Sequence, residues 1–345
     1  MDKIINSQIY KEDIKSILKQ NCDWEKLSNK TILITGATGL IGTVLVDMFV
    51  FLNNEFNLNL KLLLISRHEK KSDYDFITFI SHDITKPFET DKKIDYIIHA
   101  ASNCNPSLYL KNPIETITGN VFGIYNLLNI AEQNPGCRLL YLSSSEIYGD
   151  DIGNLKDGFS ENDMGYVNCN ESRSCYNEGK RLSETLCAAF KSQKNIDYII
   201  CRLSRSYGPT LKKEDTKALS QFIHNSIEGK DIILKSEGKQ YYSYIYSADA
   251  ASGIIFLLLN GKSGEAYNIA DEKSNITLKS LTELVADFTE TKVIIQLPNA
   301  EEQKGYSKAQ RAILSPKKIN ALGWKPVFDI QSGLKRTVEL LKLIN

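Results

Sequence analysis

Tyr176 and Lys180 are the two residues whose types and spacing most directly suggest chemistry. On a helix, residues four positions apart lie on one face, so the phenol and the ammonium would be neighbours one turn apart. A nearby ammonium favours phenolate over phenol, and we therefore predict that the pKa of Tyr176 lies below its usual value of about 10. A tyrosine tuned in this way can take a proton from a hydroxyl while hydride leaves the same carbon. The pair alone is common on helix surfaces, so the prediction depends on the residues around it.

A run of polar residues upstream supplies further candidate catalytic groups. Ser144, Ser145 and Glu146 follow a predicted strand, and we expect them at the carboxyl end of that strand. Together with Tyr176 and Lys180, Ser144 completes a Ser–Tyr–Lys arrangement and can hydrogen-bond the reacting oxygen. Glu146 adds a carboxylate that simple oxidation of an alcohol does not need. It can act as a general base in an elimination, or orient a carboxylate or a water molecule in a decarboxylation, with Ser145 assisting.

A glycine-rich loop is the second candidate site. It spans residues 36–42, after the apolar run 31–35 and before a predicted helix. Its glycines permit a tight turn and a close approach of the backbone to a pyrophosphate, and the helix offers N–H groups and the positive end of its dipole. The cofactor-binding residues predicted from this loop are Gly36, Thr38, Gly39, Leu40, Ile41 and Gly42.

Other residues predicted to contact the dinucleotide follow later strands. The second strand of such folds normally ends in a carboxylate that binds the ribose 2′-hydroxyl, but here it ends in Ser66 and Arg67. These two side chains suit a 2′-phosphate, so we favour NADP over NAD. The remaining cofactor candidates are Asp83 and Ile84 at the adenine edge, Ala100, Ala101 and Ser102 after the fourth strand, Asn120 in the next helix, and Arg202.

Apolar runs that alternate with helical stretches must position these residues. The predicted strands of the first part of the chain are 31–35, 60–66, 76–80, 95–100, 138–143 and 197–203. Helices are predicted between them, so we expect an α/β fold with a doubly wound parallel sheet. We assign 1–29 to an N-terminal helical extension, 30–205 to a dinucleotide-binding domain and 206–345 to a smaller C-terminal α/β substrate lobe, with interleaved boundaries.

Composition excludes several classes of protein. Lys+Arg and Asp+Glu balance at 42 each in 345 residues, which argues against a partner that is a nucleic acid or an anionic membrane. No apolar run approaches the ~18–20 residues of a membrane span, and no signal-peptide pattern begins the chain. The seven cysteines form no Cys-x-x-Cys, and the four histidines lack metal-ligand spacing. We therefore expect a cytoplasmic protein with reduced thiols and no bound metal.

From about Lys30 onwards, these motifs resemble the extended short-chain dehydrogenase/reductase superfamily, in its branch of NAD(P)-dependent nucleotide-sugar epimerases and dehydratases. The markers are Gly36-x-x-Gly39-x-x-Gly42, His99-Ala100-Ala101-Ser102, Asn120-x-x-Gly123, Ser144 before Tyr148-Gly149, Tyr176-x-x-x-Lys180, Tyr207-Gly208-Pro209, Tyr267-Asn268-Ile269 and Leu322-Gly323-Trp324-Lys325-Pro326. The resemblance implies a Rossmann-type fold, a tightly bound cofactor that is recycled, and oxidation of a sugar at C4. It also implies a homodimer formed through helices 116–133 and 177–193.

Within that superfamily the chain is most similar to UDP-glucuronate decarboxylases. Cys175-Tyr176-Asn177-Glu178-Gly179-Lys180-Arg181 is near their Cys-Tyr-Asp-Glu-Gly-Lys-Arg, and Ser145-Glu146 matches their Ser-Glu. Their segment after the fourth strand is matched by Pro106 and Tyr109 among others, which makes both candidates for substrate binding. An arginine thought to engage the substrate corresponds to Arg311, although other branches also have one near there.

Two departures leave the substrate open. Arg205 stands where the superfamily often has Asn, and Tyr242 stands where it often has Arg; both positions usually contact the nucleotide diphosphate. Arg205 or Lys239 is expected to restore the charge missing at Tyr242. The segment 150–174 is a further candidate for shaping the sugar pocket. A decarboxylase is the favoured interpretation. The alternatives are a 4,6-dehydratase, a 4-epimerase or other C4 oxidoreductase, and a non-catalytic protein that senses the cofactor.

Overall fold

A seven-stranded parallel sheet forms the centre of the molecule in the computed structural model, which describes residues 2–20, 22–68, 70–151, 153, 155–297 and 310–344. Its strands are β1 (Thr31–Thr35), β2 (Lys61–Ser66), β3 (Ile77–Ser81), β4 (Tyr96–His99), β5 (Arg138–Ser144), β6 (Asp197–Leu203) and β10 (Glu265–Ile269). They follow the order β10-β6-β5-β4-β1-β2-β3, and every neighbouring pair is parallel. The predicted doubly wound α/β sheet is confirmed.

Both faces of this sheet are buried. In β1, the side chains of Ile32 and Ile34 belong to one apolar cluster and that of Leu33 to another. Successive side chains of a strand point to opposite faces, so two hydrophobic layers enclose a strand that reads as a continuous apolar run. The unbroken apolar strands of the sequence follow from this double coverage.

Helices form the two outer layers. The helices are α1 (Asp2–Asn6), α2 (Gln8–Leu18), α3 (Leu40–Phe56), α4 (Pro106–Lys111), α5 (Pro113–Gln133), α6 (Cys175–Lys194), α7 (Ala218–Ile227), α8 (Ser247–Asn260), α9 (Leu278–Thr289), α10 (Lys317–Ala321) and α11 (Ile330–Ile344). Apolar residues of α5 pack against one face of the sheet, and those of α3 and α8 pack against the other. Among the described residues, no helix has both the length and the apolar character that a membrane span requires. The cytoplasmic location stays a prediction.

The N-terminal segment is tied to the body by polar as well as apolar contacts. Asp13 in α2 is fully buried and accepts hydrogen bonds of 2.6 Å from Tyr246 Oη and from Arg336 Nη1. Ile14 and Trp24 are buried in the main core. These contacts join the first residues of the chain to its last helix.

Smaller sheets carry the second half of the chain. Their strands are β7 (Arg205–Tyr207), β8 (Ile232–Leu234), β9 (Tyr241–Tyr246), β11 (Asn275–Thr277), β12 (Val293–Ile295) and β13 (Arg311–Ala312). Strand β9 pairs with β7, β11 and β13, whereas β10 returns to the large sheet. The segments on either side of residue 205 are therefore interleaved. Because β7 follows directly after β6, this small sheet lies beside the carboxyl ends of the central strands.

Candidate active site

The loop after β1 has a backbone that requires glycine. Gly36 has φ +71°, and a Cβ there would lie 2.6 Å from the nitrogen of Ala101 and 2.7 Å from the carbonyl carbon of Ala100. A Cβ on Gly42 would overlap the carbonyl oxygen of Gly36. These approaches bring the loop against the segment after β4, so the candidates from two distant motifs are neighbours.

The loop leads into a helix end that is open to an anion. Gly39 caps α3 without a side-chain hydrogen bond, and Thr38 is half-buried in the turn before it. The N–H groups of Leu40, Ile41 and Gly42 in the first turn have no acceptor inside the helix, and they lie at the positive end of its dipole. A Cβ on Gly39 would meet only the Gly36 carbonyl within 4 Å. This arrangement fits the pyrophosphate of a dinucleotide.

The ends of β2 and β3 place four other cofactor candidates at the same edge of the sheet. Ser66 ends β2 and pairs with Ser81 of β3, and the next residue, Arg67, is exposed. Asp83 accepts hydrogen bonds from the N–H and hydroxyl of Thr85, which lower the pKa of its carboxyl. Half-buried Ile84 follows it.

Buried polar groups hold the end of β4 in place. His99 is fully buried, and its Nδ1 lies 2.7 Å from the hydroxyl of Thr35. Burial lowers the pKa of His99 to about 3, so the ring is neutral. The N–H of Ala101 donates to the same hydroxyl at 3.1 Å, and the hydroxyl of Ser102 donates to Oδ1 of buried Asn120 at 2.9 Å. The segment after β4, predicted to contact the cofactor, is thereby fixed on both sides.

Tyr176 and Lys180 lie in the first turns of α6, and both are buried, at 8% and 3% exposure. Lys180 Nζ donates a 2.7 Å hydrogen bond to the carbonyl of Leu142 in β5. The same nitrogen lies 4.6 Å from the centre of the Tyr141 ring and 5.9 Å from that of Tyr176. The helix face predicted from the four-residue spacing is therefore turned into the protein, against the end of β5.

The predicted direction of the Tyr176 pKa is wrong. Burial raises this pKa far above its usual value, because the phenolate would lose its hydration. A hydrogen bond with Ser144 acts in the lowering direction but is the weaker effect. Burial also lowers the pKa of Lys180 to about 8. The ammonium lies 5.9 Å from the centre of the Tyr176 ring, but desolvation sets the direction of the shift in the tyrosine's pKa.

Ser144, Ser145 and Glu146 stand where β5 ends. Ser144 is the last residue of the strand, and its Oγ accepts the N–H of Glu146 at 3.2 Å, which starts a single 3₁₀ turn over Ser145–Tyr148. Ser145 is buried. The side-chain amide of Asn177 in α6 donates to the carbonyl of Glu146 at 2.6 Å. This bond ties the polar run to the helix that carries Tyr176.

Glu146 lies between two arginines. One carboxylate oxygen is 3.9 Å from Arg173 Nη1, and the other is 3.5 Å from Arg205 Nη2. The guanidinium of Arg205 lies 3.8 Å from the centre of the Tyr242 ring. Arg205, rather than Lys239, therefore carries positive charge to the position of Tyr242.

Arg173 is a residue of the site that the sequence motifs missed. It lies in a short 3₁₀ turn, Ser172–Ser174, directly before α6. The only available signal was a cation three positions before Tyr176. Its guanidinium is 5.9 Å from the ring of Tyr109, which in turn stacks on Tyr176 with ring centres 5.4 Å apart. Pro106 begins α4, the helix that presents Tyr109.

Two predicted binding residues, Arg202 and Lys239, are paired with carboxylates of the protein. Arg202 is buried in an ion pair with Glu184 at 2.7 Å and also donates to Tyr148 Oη. Lys239 is 81% exposed and pairs with Glu237 at 2.5 Å. Arg202 is thus engaged in the core and Lys239 on the surface.

Arg311 is directed towards the segment 150–174. Its Nη2 donates to the carbonyls of Leu155 at 3.0 Å and Lys156 at 2.7 Å, and its Nε lies 3.9 Å from a carboxylate oxygen of Asp151. The segment is further anchored by Phe159, which stacks on Tyr148 with ring centres 4.7 Å apart. Arg311 thus holds in place part of the segment 150–174, which precedes the helix of Tyr176.

The fold and this site define a class of dinucleotide-binding α/β enzymes, and comparison with known proteins identifies the family. Residues 32–270 match the model of the NAD-dependent epimerase/dehydratase family. The chain belongs to that family and is an enzyme of the nucleotide-sugar epimerase/dehydratase type that its motifs resemble.

Curated relatives and solved structures agree with this assignment. The chain is 31% identical to UDP-glucuronic acid decarboxylase 6 of Arabidopsis thaliana over 92% of this chain and 90% of that protein. It is 29% identical to UDP-glucuronic acid decarboxylase 1 of Danio rerio, over 90% and 72% respectively. The UDP-glucose 4-epimerase of Thermotoga maritima shares the fold with a TM-score of 0.76 at 18% identity, covering 90% of this chain and 98% of that one. The dTDP-glucose 4,6-dehydratase of Bacillus anthracis does so at 0.73 and 20%, covering 90% and 96%.

Proposed function

We propose that this enzyme oxidises C4 of a UDP-linked uronic acid, releases C6 as carbon dioxide and then reduces C4 again. The observation that carries the proposal is the position of Glu146, which follows Ser144 by two residues and lies between Arg173 and Arg205. Oxidation at C4 alone needs no carboxylate there. The names of the two curated relatives given above, both UDP-glucuronic acid decarboxylases, support the same reaction.

Residues at the end of β5 and the start of α6 bind the C4 hydroxyl and take its proton during the oxidation. Tyr176 accepts the proton of the C4 hydroxyl, and Ser144 donates a hydrogen bond to the C4 oxygen as it becomes a carbonyl. The loop 36–42 and the ends of β2 and β4 would hold the nicotinamide dinucleotide. When bound, it would supply a hydride acceptor for C4, and the positive charge of its oxidised ring would favour the phenolate of Tyr176. Lys180 adds a second positive charge, held by the carbonyl of Leu142.

The second step follows from the carbonyl at C4. A carboxylate at C6 is then part of a β-keto acid: the C5–C6 bond breaks, carbon dioxide leaves, and the electron pair passes to the C4 oxygen as an enolate. Ser144 and Tyr176 stabilise this oxyanion by hydrogen bonds. Glu146 and Ser145 orient the leaving carboxylate and the water molecule that protonates C5. Tyr176 returns its proton to the C4 oxygen when C4 is reduced.

Cofactor preference within this NAD-dependent family is a further part of the proposal. We propose that the enzyme binds NADP more tightly than NAD and recycles it without release. Arg67 is exposed just beyond Ser66 at the end of β2, where a 2′-phosphate would find a cation and a hydroxyl. The identity of the cofactor released on denaturation of the purified enzyme tests this preference directly.

Mass spectrometry of the products from a panel of nucleotide sugars tests the reaction. UDP-glucuronate should lose carbon dioxide and yield a UDP-pentose. Loss of water from a neutral UDP-, GDP- or dTDP-hexose would identify a 4,6-dehydratase, and an isomer of unchanged mass would identify a 4-epimerase. Binding of the cofactor without turnover of any member of the panel would indicate a sensing protein. Each of these three outcomes contradicts decarboxylation.

We also propose that the enzyme is a homodimer formed through α5 and α6. Large apolar side chains are exposed along this surface: Ile114 at 71%, Phe122 at 50% and Tyr125 at 47% on α5, and Leu182 at 46% on α6. The three on α5 are eight and three positions apart and so share one face of the helix. A second copy of the same surface would bury them.

A further inference from the structure

Arg173, Glu146 and Arg205 form a cluster with one positive charge in excess. The two guanidinium groups lie on either side of one carboxylate, at 3.9 Å and 3.5 Å. We propose that this cluster, here called the basic clamp, binds the C6 carboxylate of the substrate, and that Arg173 is the residue that selects a carboxylated sugar over a neutral one. This inference rests on the proposed decarboxylation and assigns the substrate carboxylate to particular side chains.

Neither contact inside the basic clamp is as short as a direct hydrogen bond. A direct hydrogen bond between a guanidinium and a carboxylate spans about 2.7–2.9 Å, and both distances to Glu146 exceed this range. Each guanidinium carries five N–H donors in a planar fork, which suits bidentate binding of a carboxylate. A substrate carboxylate would therefore add bonds without displacing Glu146, and it would neutralise the excess charge.

The clamp is open to a ligand, yet partly shielded from water. The side chains of Arg173, Glu146 and Arg205 are 24%, 24% and 25% exposed. Charges in such a partly desolvated position interact more strongly than charges on the surface. A sugar that enters this opening would complete the burial of the three groups.

The clamp lies beside the residues proposed to hold the C4 hydroxyl. Glu146 is two residues from Ser144, the proposed ligand of the C4 oxygen, and Ser144 hydrogen-bonds to Tyr176. On the other side, Arg173 lies 5.9 Å from the ring of Tyr109, which stacks on Tyr176. Glu146 and Arg173 thus flank Ser144 and Tyr176, and the C4 and C6 groups of a uronic acid are likewise carried on either side of one carbon, C5.

Arg205 is held in place independently of any ligand. Its guanidinium lies over the Tyr242 ring at 3.8 Å, and its strand pairs with β9 in the register Arg205 to Tyr244. Among the described residues, the aromatic contact of Arg173 is the looser one with Tyr109, at 5.9 Å from the ring centre. Arg205 therefore also contributes packing contacts with Tyr242. Arg173 is the better residue for a test, because its replacement removes a charge with little change in packing.

The test compares the affinities of wild type and Arg173→Met for UDP-glucuronate, UDP-glucose and UDP. Each is measured calorimetrically with the reduced nicotinamide cofactor bound, which cannot accept hydride from C4 and so prevents turnover. Loss of a charge-assisted pair should weaken UDP-glucuronate binding by about 10- to 100-fold. UDP-glucose and UDP lack the carboxylate, so their affinities should change by less than about threefold. Arg173→Lys should recover part of the loss, since it retains the charge without the fork.

Lys111→Met, which removes a positive charge from α4 outside the clamp, is the control for net charge and should leave all three affinities unchanged. Equal weakening of all three ligands by Arg173→Met, or no change in any of them, would overturn the assignment of the carboxylate. Thermal melts of each variant separate loss of folding from loss of binding. Release of carbon dioxide from UDP-glucuronate by wild type is measured alongside: its absence refutes the proposed reaction and the clamp together, whereas its presence with an unselective Arg173→Met refutes the clamp alone.

Discussion

At the scale of single residues, Tyr176 is under opposing influences. Burial at 8% exposure disfavours its phenolate, whereas Ser144, Lys180 and a bound oxidised nicotinamide ring favour charge on it. The protein alone keeps the phenol protonated. We therefore expect the tyrosine to become a base only once the cofactor is bound, which would limit proton abstraction to the complete enzyme.

Tyr176→Phe should lower turnover of UDP-glucuronate by about 10²–10⁴, the usual contribution of a positioned acid or base. The variant loses one hydroxyl and keeps the ring that stacks on Tyr109, so its melting temperature and cofactor affinity should stay close to wild type. Steady-state kinetics with quantified UDP-pentose provides the measurement. Near-normal turnover would show that another group takes the proton.

The pKa of Lys180 predicts how kcat depends on pH in the alkaline range. Burial lowers its pKa to about 8, below the usual value of 10.5. The ammonium is present below that pKa and is lost as pH rises through it, so kcat should fall above about pH 8. Measurement of kcat from about pH 6 to about pH 10 checks this decrease. In Lys180→Met, kcat should be low at every pH and should show no decrease above about pH 8. A wild-type kcat that stays constant beyond about pH 9 would contradict the role assigned to Lys180.

At the scale of elements, the β1–α3 connection joins a local motif to a distant segment. Gly36 has a positive φ and approaches the backbone of Ala100 and Ala101, and Gly42 approaches the carbonyl of Gly36. The loop can therefore hold its first-turn N–H groups towards a pyrophosphate only while these close contacts persist. Side chains at either glycine would separate the loop from the end of β4.

Gly42→Ala should weaken cofactor binding at least tenfold, because its Cβ would displace the Gly36 carbonyl and with it the first turn of α3. Fluorescence titration of the stripped enzyme with NAD and NADP measures the effect. Gly119→Ala is the matched control: it lies in α5, and an added Cβ there meets nothing within 4 Å. Equal affinities for the two variants would contradict the role of the loop.

At the scale of the whole molecule, distant parts of the chain meet around the site. The small sheet brings Arg205 and Tyr242 to the ends of the central strands, and Arg311 pins the segment that precedes α6. On the opposite side of α6 from the sheet, α5 and α6 present an exposed apolar surface. A dimer through that surface would stiffen the helix that carries Tyr176 and Lys180.

Phe122→Asp should convert the proposed dimer to a monomer, since it places a charge in the centre of the apolar surface. Analytical ultracentrifugation of wild type and variant measures the mass. Leu343→Asp, at a side chain that is 61% exposed on α11, is the control and should leave the dimer intact. A monomeric wild type at micromolar concentration would refute the proposal.

The sequence by itself determined the α/β sheet, the glycine loop and the pairing of Tyr176 with Lys180 on one helix face. Each of these depends on residues close together in the chain, where periodicity and backbone geometry decide the outcome. The resemblance of its motifs also led to the family that the comparisons confirm.

The tertiary structure alone decided which charged groups face one another. Arg202, expected at the cofactor, is paired with Glu184 in the core, and Arg311, expected at the substrate, bonds to Leu155 and Lys156. Arg173 lies in the site beside Glu146 although no sequence motif indicated it. Burial raises the pKa of Tyr176, opposite to the predicted direction. Partners and desolvation depend on segments far apart in the chain, so no local pattern around Tyr176 could have revealed them.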